Sequence, residues 1–336
     1  MKKALAQLPV YIAEILRSAA LAPSGHNTQP WKFSYREGVI RIFPDFTRRL
    51  PVADPDDREL YISLGCALEN LLVAACHFGY QPAGSLFPPD EANPCIRVAL
   101  HLPASGYRHA TLPTAGQGLY AALSLRHSNR SRYRSEALKS EDVEMLQSLP
   151  TEEGIAPLLL TGPDAVAGMW PFIRQGITSQ MQDQAFKREL IGWMRFNKSE
   201  ANRRRDGLTY EALGFPAMPG WIGKFIVKAA LTPDKQCRQE EPKVKSAPAL
   251  MLMSSLPNRN AWVGVGRYFE RFALQATLLG LSVAHLNQPV EVPAVAAQLR
   301  TAYGLGDYHP ALLVRIGYAD PAQPAPRRPL EDLLIQ

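Results

Sequence analysis

Three stretches of this 336-residue chain carry side chains able to hold a polar, anionic molecule. In Ala22-Pro23-Ser24-Gly25-His26-Asn27-Thr28-Gln29-Pro30-Trp31, Pro23 stops a preceding helix, and Ser24, Gly25 and Asn27 tolerate turn conformations that expose backbone groups. Those groups, with the Asn27 and Gln29 amides, offer donors and acceptors to a ligand edge. Arg126-His127-Ser128-Asn129-Arg130, with Tyr133 three further on, and Pro326-Arg327-Arg328-Pro329 add guanidinium and hydroxyl groups. By charge pattern alone each basic run also fits a solvated face. A net charge of +6 suits an anionic ligand but is modest for a nucleic-acid binder. The densest basic run, Arg203-Arg204-Arg205, is short and fits a solvated face.

An internal repeat organises the elements that position these groups. Gly65, Glu69 and Gly79 form G-x3-E-x9-G, and Gly266, Glu270 and Gly280 form the same pattern. Leu68, Leu71, Leu72 and Ala75 recur at helical spacing, as do Phe269, Phe272, Ala273 and Ala276. Gly79 and Gly280 stand where a left-handed cap closes each helix. A strand-like run follows each, Ile96–Leu102 and Leu312–Gly317. Lys32–Tyr35 predicts a strand after the first turn, and Ser140 is a plausible N-cap. The segment from about Gly162 to Val244 has no counterpart in the first half. It is rich in Trp170, Trp193, Arg195, Phe196, Trp221 and Phe225, which suits a lid or a structural arm.

Other chemistries are not signalled. There is no G-x-S-x-G elbow, H-E-x-x-H helix or Walker loop. Cys66, Cys76, Cys95 and Cys237 have no metal-ligand or disulfide spacing, so no metal is expected. Gly264-Val265-Gly266 fits helix packing better than a dinucleotide fingerprint, Ser24 and His26 are too close to suggest a dyad, and His77 fits a core or boundary position. No run of 18 apolar residues occurs, so no membrane span is expected. Lys2 and Lys3 precede an apolar stretch, but Glu14 and Arg17 interrupt it. It reads as an amphipathic helix in a cytoplasmic protein.

The Ala22–Trp31 stretch resembles the A-P-S-x-x-N-x-Q-P-W signature of FMN-dependent nitroreductases. Arg126–Arg130 resembles that family's R-[RH]-S-x-[RK] motif, displaced to the middle of the chain and with its aromatic one residue late. Leu312–Tyr318 and Pro326–Asp332 resemble its terminal strand and basic tail. With Arg48–Asp56 and Asn287-Gln288-Pro289-Val290-Glu291, the whole is similar to the Acg branch, in which two nitroreductase-like halves are fused. The resemblance implies an α+β fold of mixed, largely antiparallel sheets flanked by helices, packed as an internal pseudo-dimer. The halves would span 1–118 and 119–336, with a lid-like insertion at 162–244. It implies one FMN per chain, held by Pro23, Ser24, Asn27, Gln29, Arg126, His127, Ser128, Arg130, Gln288, Arg327 and Arg328. Arg328 is the first choice for the phosphate and Arg327 the second. The flavin would carry the chemistry, with no catalytic side chain and with NAD(P)H as a candidate donor to a small-molecule substrate. A monomer without nucleic-acid or membrane partners is the expectation. The alternative is a non-turnover FMN-binding or sequestering protein whose flavin lies beneath the lid.

Overall fold

The computed structural model describes residues 8–102 and 114–335. The Lys2-Lys3 start of the expected first helix lies outside them; helix α1 is Val10–Ala19 and buries Ile12, Ala13, Ile15 and Leu16 at helical spacing.

Two four-stranded antiparallel sheets share one topology. The first contains β1 (Trp31–Arg36), β2 (Val39–Pro44), β3 (Gln81–Leu86) and β4 (Ile96–His101), in the order β1-β2-β4-β3. Helix α2 (Arg58–His77) lies between β2 and β3 in sequence. Helices α3 (Thr114–Leu125) and α4 (Ser140–Gln147) lead to the second sheet. It contains β5 (Ile155–Thr161) and, after a pair of two-residue strands within the insertion (β6, Met194–Arg195, and β7, Leu208–Thr209), β8 (Ala249–Ser255), β9 (Ser282–His285) and β10 (His309–Gly317). Its order is β5-β8-β10-β9, antiparallel throughout. Helix α10 (Arg259–Leu278) stands between β8 and β9 as α2 stands between β2 and β3.

The insertion falls between β5 and β8, where the first sheet needs only the tight turn at Glu37 and Gly38. It contributes α5 (Pro163–Gln182), α6 (Gln184–Gly192), α7 (Lys198–Arg204), α8 (Gly220–Ala230) and α9 (Pro233–Lys245). After β9 come α11 (Gln288–Glu291) and α12 (Pro293–Ala302), and near the end α13 (Leu330–Leu333).

Side-chain alternation explains the two cores. In the first sheet Trp31, Phe33, Ile40, Ile42, Ile96 and Val98 point inward at every second position. Strand β8 is buried along its whole length because both faces are covered. Ala249, Met251 and Met253 join the central core, while Leu250 and Leu252 join a second core built with the insertion. The insertion is therefore a packed layer over the second sheet, with Met169, Ile173 and Ile177 of α5 at its heart.

Gly65 and Gly266 set the contact between α2 and α10. A methyl group on Gly266 would lie 1.9 Å from the Ile62 carbonyl oxygen, and one on Gly65 would lie 2.1 Å from the Val263 carbonyl oxygen. Each glycine packs on the residue three positions before the other, as in a two-fold contact. The helices end at Gly79 (φ 83°) and Gly280 (φ 73°), both left-handed as expected. The expected boundary at 118 falls inside α3, and Lys139 rather than Ser140 occupies the cap position of α4. Helix α2 is long and apolar enough to cross a membrane by composition, but 72% of its most apolar window is buried and it packs on α10.

Gly266→Ala should destabilise the protein by about 1–3 kcal/mol or more, since backbone on both helices must move. Gly84→Ala, with open space around it, should stay within about 0.5 kcal/mol. Urea denaturation midpoints of the two variants check this.

Candidate functional site

The turn after α1 is held in an unusual conformation. His26, Asn27 and Gln29 have φ of 49°, 54° and 53°, left-handed values that cost non-glycine residues energy. The fold compensates with hydrogen bonds. Gln29 N donates to Ser24 Oγ at 2.9 Å, and Asn27 Nδ2 donates to the carbonyls of Gly207 (3.2 Å) and Pro326 (3.1 Å). The turn is thereby tied to the insertion and to the tail at once.

The Arg126–Arg130 loop follows α3 and is pinned against β9 and β10. Asn129 N donates to Val283 O at 2.9 Å, and Tyr133 Oη donates to Asn129 O at 3.0 Å. Beneath it lies Arg315, a buried arginine within an otherwise apolar strand. It donates to Asn129 O and Ser131 O, and its guanidinium sits 4.0 Å from the Tyr133 ring centroid.

Turn, loop and tail enclose a cavity of two connected chambers that share Pro23, Ser24, Arg130, Leu208 and His285. The smaller, about 70 Å³, is lined by Asn27, Arg126, His127, Ser128 and Arg327. The larger, about 230 Å³, is lined by Glu59, Cys66, Phe269, Gln288 and Glu291, and by insertion residues such as Phe186.

Positive charge in the small chamber exceeds its local compensation. Arg126 and Glu270 are both buried, with Nε 2.9 Å from Oε1, but Arg126 Nη1 has no hydrogen-bond partner. Arg327 is drawn down to about 9, first by burial and then by the neighbouring Arg126. Burial lifts Glu270 to about 6 even though Arg126 and Arg327 favour its charged form. His127 is held near 4 and His285 near 3, each by burial first and then by nearby arginines, and His26 near 4 by burial and Arg130. All three histidines are neutral at pH 7, so the field of the site comes from arginine. Arg130 is surrounded by protein yet open to the cavity, and it makes no hydrogen bond or ion pair among the described residues. Burial lowers its affinity for its proton. Such a site favours a dianion.

Of the residues that the resemblance implies, Pro23, Ser24, Asn27, Arg126, His127, Ser128, Arg130, Gln288 and Arg327 line this cavity. Gln29 and Arg328 do not line it. Gln29 is fully buried, donates to Arg205 O at 2.9 Å, and accepts from Arg328 N at 2.8 Å. The Arg328 guanidinium donates to Gln29 O and lies 3.9 Å from Asp45. The order expected for the tail arginines is thus reversed. Successive side chains of an extended segment point to opposite sides, so only one can face the cavity.

The aromatic residues expected over the cavity are also elsewhere. Trp170, Trp193 and Phe196 pack in the second core, and Trp221 and Phe225 are exposed. The cover is made instead by Gln180, Met181, Phe186, Leu190 and Leu208. Two arginines anchor it. Arg195 donates twice to Asp206 Oδ1, at 3.0 and 2.7 Å, and Arg48 of the first half pairs with Asp206 from the other side. Both guanidinium groups lie over the Trp193 ring. Glu189 adds a contact by accepting from the backbone N–H groups of Val52 and Ala53. Sequence reasoning missed His285, Leu208, Phe186, Glu59 and, as a separate site residue, Glu291. Only the charge of Glu291 among apolar neighbours could have marked it; Glu59 follows Asp56-Asp57-Arg58 and carries no such signal.

No family model matches the chain. It is 27% identical over 329 residues to a protein named "Putative NAD(P)H nitroreductase Rv3131" from Mycobacterium tuberculosis, covering 96% of this chain and 90% of that one. It is 24% identical to "Putative NAD(P)H nitroreductase acg" from the same organism, covering 96% and 94%. Among solved structures, the FMN-dependent nitroreductase NfnB from Mycobacterium smegmatis in complex with NADPH matches with a TM-score of 0.41 and 14% identity, over 65% of this chain and 97% of that one. A nitroreductase with bound FMN from Bacteroides fragilis matches with a TM-score of 0.36 and 16% identity, over 60% and 88%.

Inorganic phosphate should stabilise the protein through the Arg126–Arg327 chamber. At ten times its dissociation constant the gain is about 1.4 kcal/mol. Scanning calorimetry in phosphate against chloride at equal ionic strength should show it, and Arg327→Gln should remove it.

Proposed function

We propose that this chain is a nitroreductase-superfamily protein similar to the Acg branch, that it binds one FMN, and that it works as an NAD(P)H-dependent oxidoreductase on a small acceptor. The observation that carries this reading is the small chamber, where Arg126 and Arg327 converge with Ser128 and Arg126 Nη1 lacks a protein partner. A terminal phosphate satisfies those donors and neutralises the excess charge.

FMN, when bound, supplies two-electron transfer at its N5. The chain supplies position and electrostatics. Arg126, His127, Ser128 and Arg327 would hold the phosphate and the chain next to it. Pro23 and Ser24, at the junction of the chambers, and Asn27 would hold the ring's polar edge with the backbone around them, and Gln288 brings its unpartnered Oε1 to the same space. Arg130 would place positive charge where negative charge develops on reduction. Gln29 and Arg328 serve this reading by fixing the turn rather than by touching the ligand.

The matching strand orders and the Gly65–Gly266 contact support a fused pseudo-dimer of halves near 1–118 and 119–336. One site per chain follows from what fills the related position. The repeat offset aligns Gln288 with Phe87, and Phe87 there packs edge-on against Tyr61 and beneath the Arg259 guanidinium, 4.4 Å away. This packing supports a single site per chain. With both halves in one chain, a monomer is the expected assembly.

A second reading also has an observation in its favour. The two chambers together stand at the low end of the roughly 300–1,000 Å³ usual for small-molecule sites, and insertion residues roof them. With FMN in place, a nicotinamide has room only if that roof moves. A protein that stores or sequesters FMN is the consequence if it does not.

Anaerobic addition of NADH or NADPH to the FMN-loaded protein separates the two. Loss of the visible flavin band supports the oxidoreductase; a protein that stays yellow supports the binder. Arg126→Ala should weaken FMN binding by about ten- to 150-fold, the equivalent of roughly 1.5–3 kcal/mol. Arg130→Ala should lower the reduction potential of bound FMN with a smaller loss of affinity, as read by spectroelectrochemistry.

A further inference from the structure

We propose, on the reading that the cavity reduces a small acceptor, that Glu59 and Glu291 together hold one proton at the cavity wall and deliver it to that acceptor. Glu59 stands in the first turn of α2 and Glu291 at the end of α11, and both line the larger chamber. Their carboxyl groups lie within hydrogen-bonding reach of each other. Asn287 Nδ2 donates to Glu59 Oε1 at 2.8 Å, Gln180 Nε2 donates to Glu291 Oε2, and Gly25 leaves the space into which Glu59 Oε2 extends. These amides fix the pair without neutralising it.

The charged groups around the pair do not neutralise it either. Asp54 accepts from the backbone N–H groups of Glu59 and Leu60, and burial lifts its carboxyl to about 7. Arg58 favours the charged form of both groups, yet it makes no ion pair with Glu59 or Glu291 among the described residues. Glu59 is buried and Glu291 half-buried, and two carboxylates in contact in such a place resist ionising together. Burial, and for Glu59 the neighbouring Glu291, hold both groups above the usual carboxylate range. No group of three or more His, Cys, Asp or Glu among the described residues is arranged to hold a metal ion, so a shared proton is what stabilises the contact.

Glu291 also faces a second, open cleft of about 690 Å³, lined with Asp56, Arg58, Arg300 and His309. It is thus a wall shared by the inner cavity and the outside. Reduction of a quinone by a nicotinamide donor moves one hydride equivalent and consumes one proton. The donor is oxidised and the quinone becomes a hydroquinone. In this arrangement the proton leaves the Glu59–Glu291 pair for a quinone oxygen, and water in the outer cleft returns a proton through Glu291.

Two measurements test this, on Glu59→Gln and, should that variant not fold, on Glu291→Gln. The first needs no turnover. A carboxyl whose folded pKa is raised contributes stability that is fully present below its unfolded pKa and is lost as pH rises through its folded pKa. The wild type should therefore lose Tm between pH 5 and pH 8 relative to the Gln variant, which has no such proton to lose. A Tm difference that stays constant with pH overturns the shared proton. The second compares oxidation of the dithionite-reduced, FMN-loaded protein by a quinone and by ferricyanide, which takes electrons without protons. The quinone-to-ferricyanide rate ratio should fall roughly a hundredfold in the Gln variant, within the usual range for a general acid. An unchanged ratio overturns the delivery step. A wild type with the expected pH-dependent Tm whose reduced flavin passes electrons to ferricyanide but not to quinone also overturns delivery. Failure to pass electrons to either acceptor overturns the oxidoreductase reading, and with it delivery, but keeps the shared proton.

Discussion

The rest of the molecule depends on two helices meeting backbone to backbone. At Gly65 and Gly266 there is no room for a methyl group on either side, and the Cys66 thiol donates to Gly266 O at 3.3 Å. That closeness fixes α2 and α10 as one rigid unit, because close-packed interiors do not deform gradually. The site inherits its geometry from this unit. Glu59, Ile62, Ser63 and Cys66 of α2 form one wall, and Phe269 of α10 faces them, while Glu270 reaches Arg126. A shift of one helix along the other would separate the carboxylate from its arginine and open the chamber.

Against that rigid base, the site holds its groups under electrostatic tension. Arg126 is buried and Arg327 is half-buried, with one carboxylate, Glu270, acting on both, and removing such ions from water is costly. The three left-handed residues of the turn add backbone strain. Both costs lie at one place, and both are offset by contacts that converge there: Asn27 to Gly207 and Pro326, and Arg327 to Asn27 and Leu21. An anion entering the chamber relieves the first cost without new strain. The affinity of the site therefore derives in part from what the empty protein already bears.

Much of this was legible in the sequence where a local rule applied. The three-point repeat located α2 and α10, their glycine caps, and the strands β4 and β10 that follow, since period and cap chemistry act over a few residues. The convergence of the Arg126 loop, the first turn and Arg327 was legible only through resemblance, because nothing in their spacing brings residues 300 positions apart together. Arg327 and Arg328 could not be ordered, since the choice depends on which way an extended segment is rotated. Insertion aromatics suited a lid as well as an arm because aromatic content does not reveal which face of a helix is covered. In the structure Trp170, Trp193 and Phe196 pack in the second core, whose existence also explains why β8 is buried throughout, while Trp221 and Phe225 are exposed. Glu59 and Glu291 stand 232 positions apart, and their contact arises only when α11 packs near the start of α2.

One further feature bears on how the protein is made. Ile335 N donates to Phe33 O at 2.9 Å, and Leu334 bridges to Phe33 as a short parallel addition beside β1. Arg327, a few residues earlier, fills the anion chamber. A nascent chain emerging from the ribosome can form the hairpin of β1 and β2 early, but the outer side of β1 and one flank of the chamber wait until residues beyond 326 have been synthesised. Closing so long a loop is slow compared with local folding. Any ligand of this site is therefore acquired only once that segment has docked beside β1.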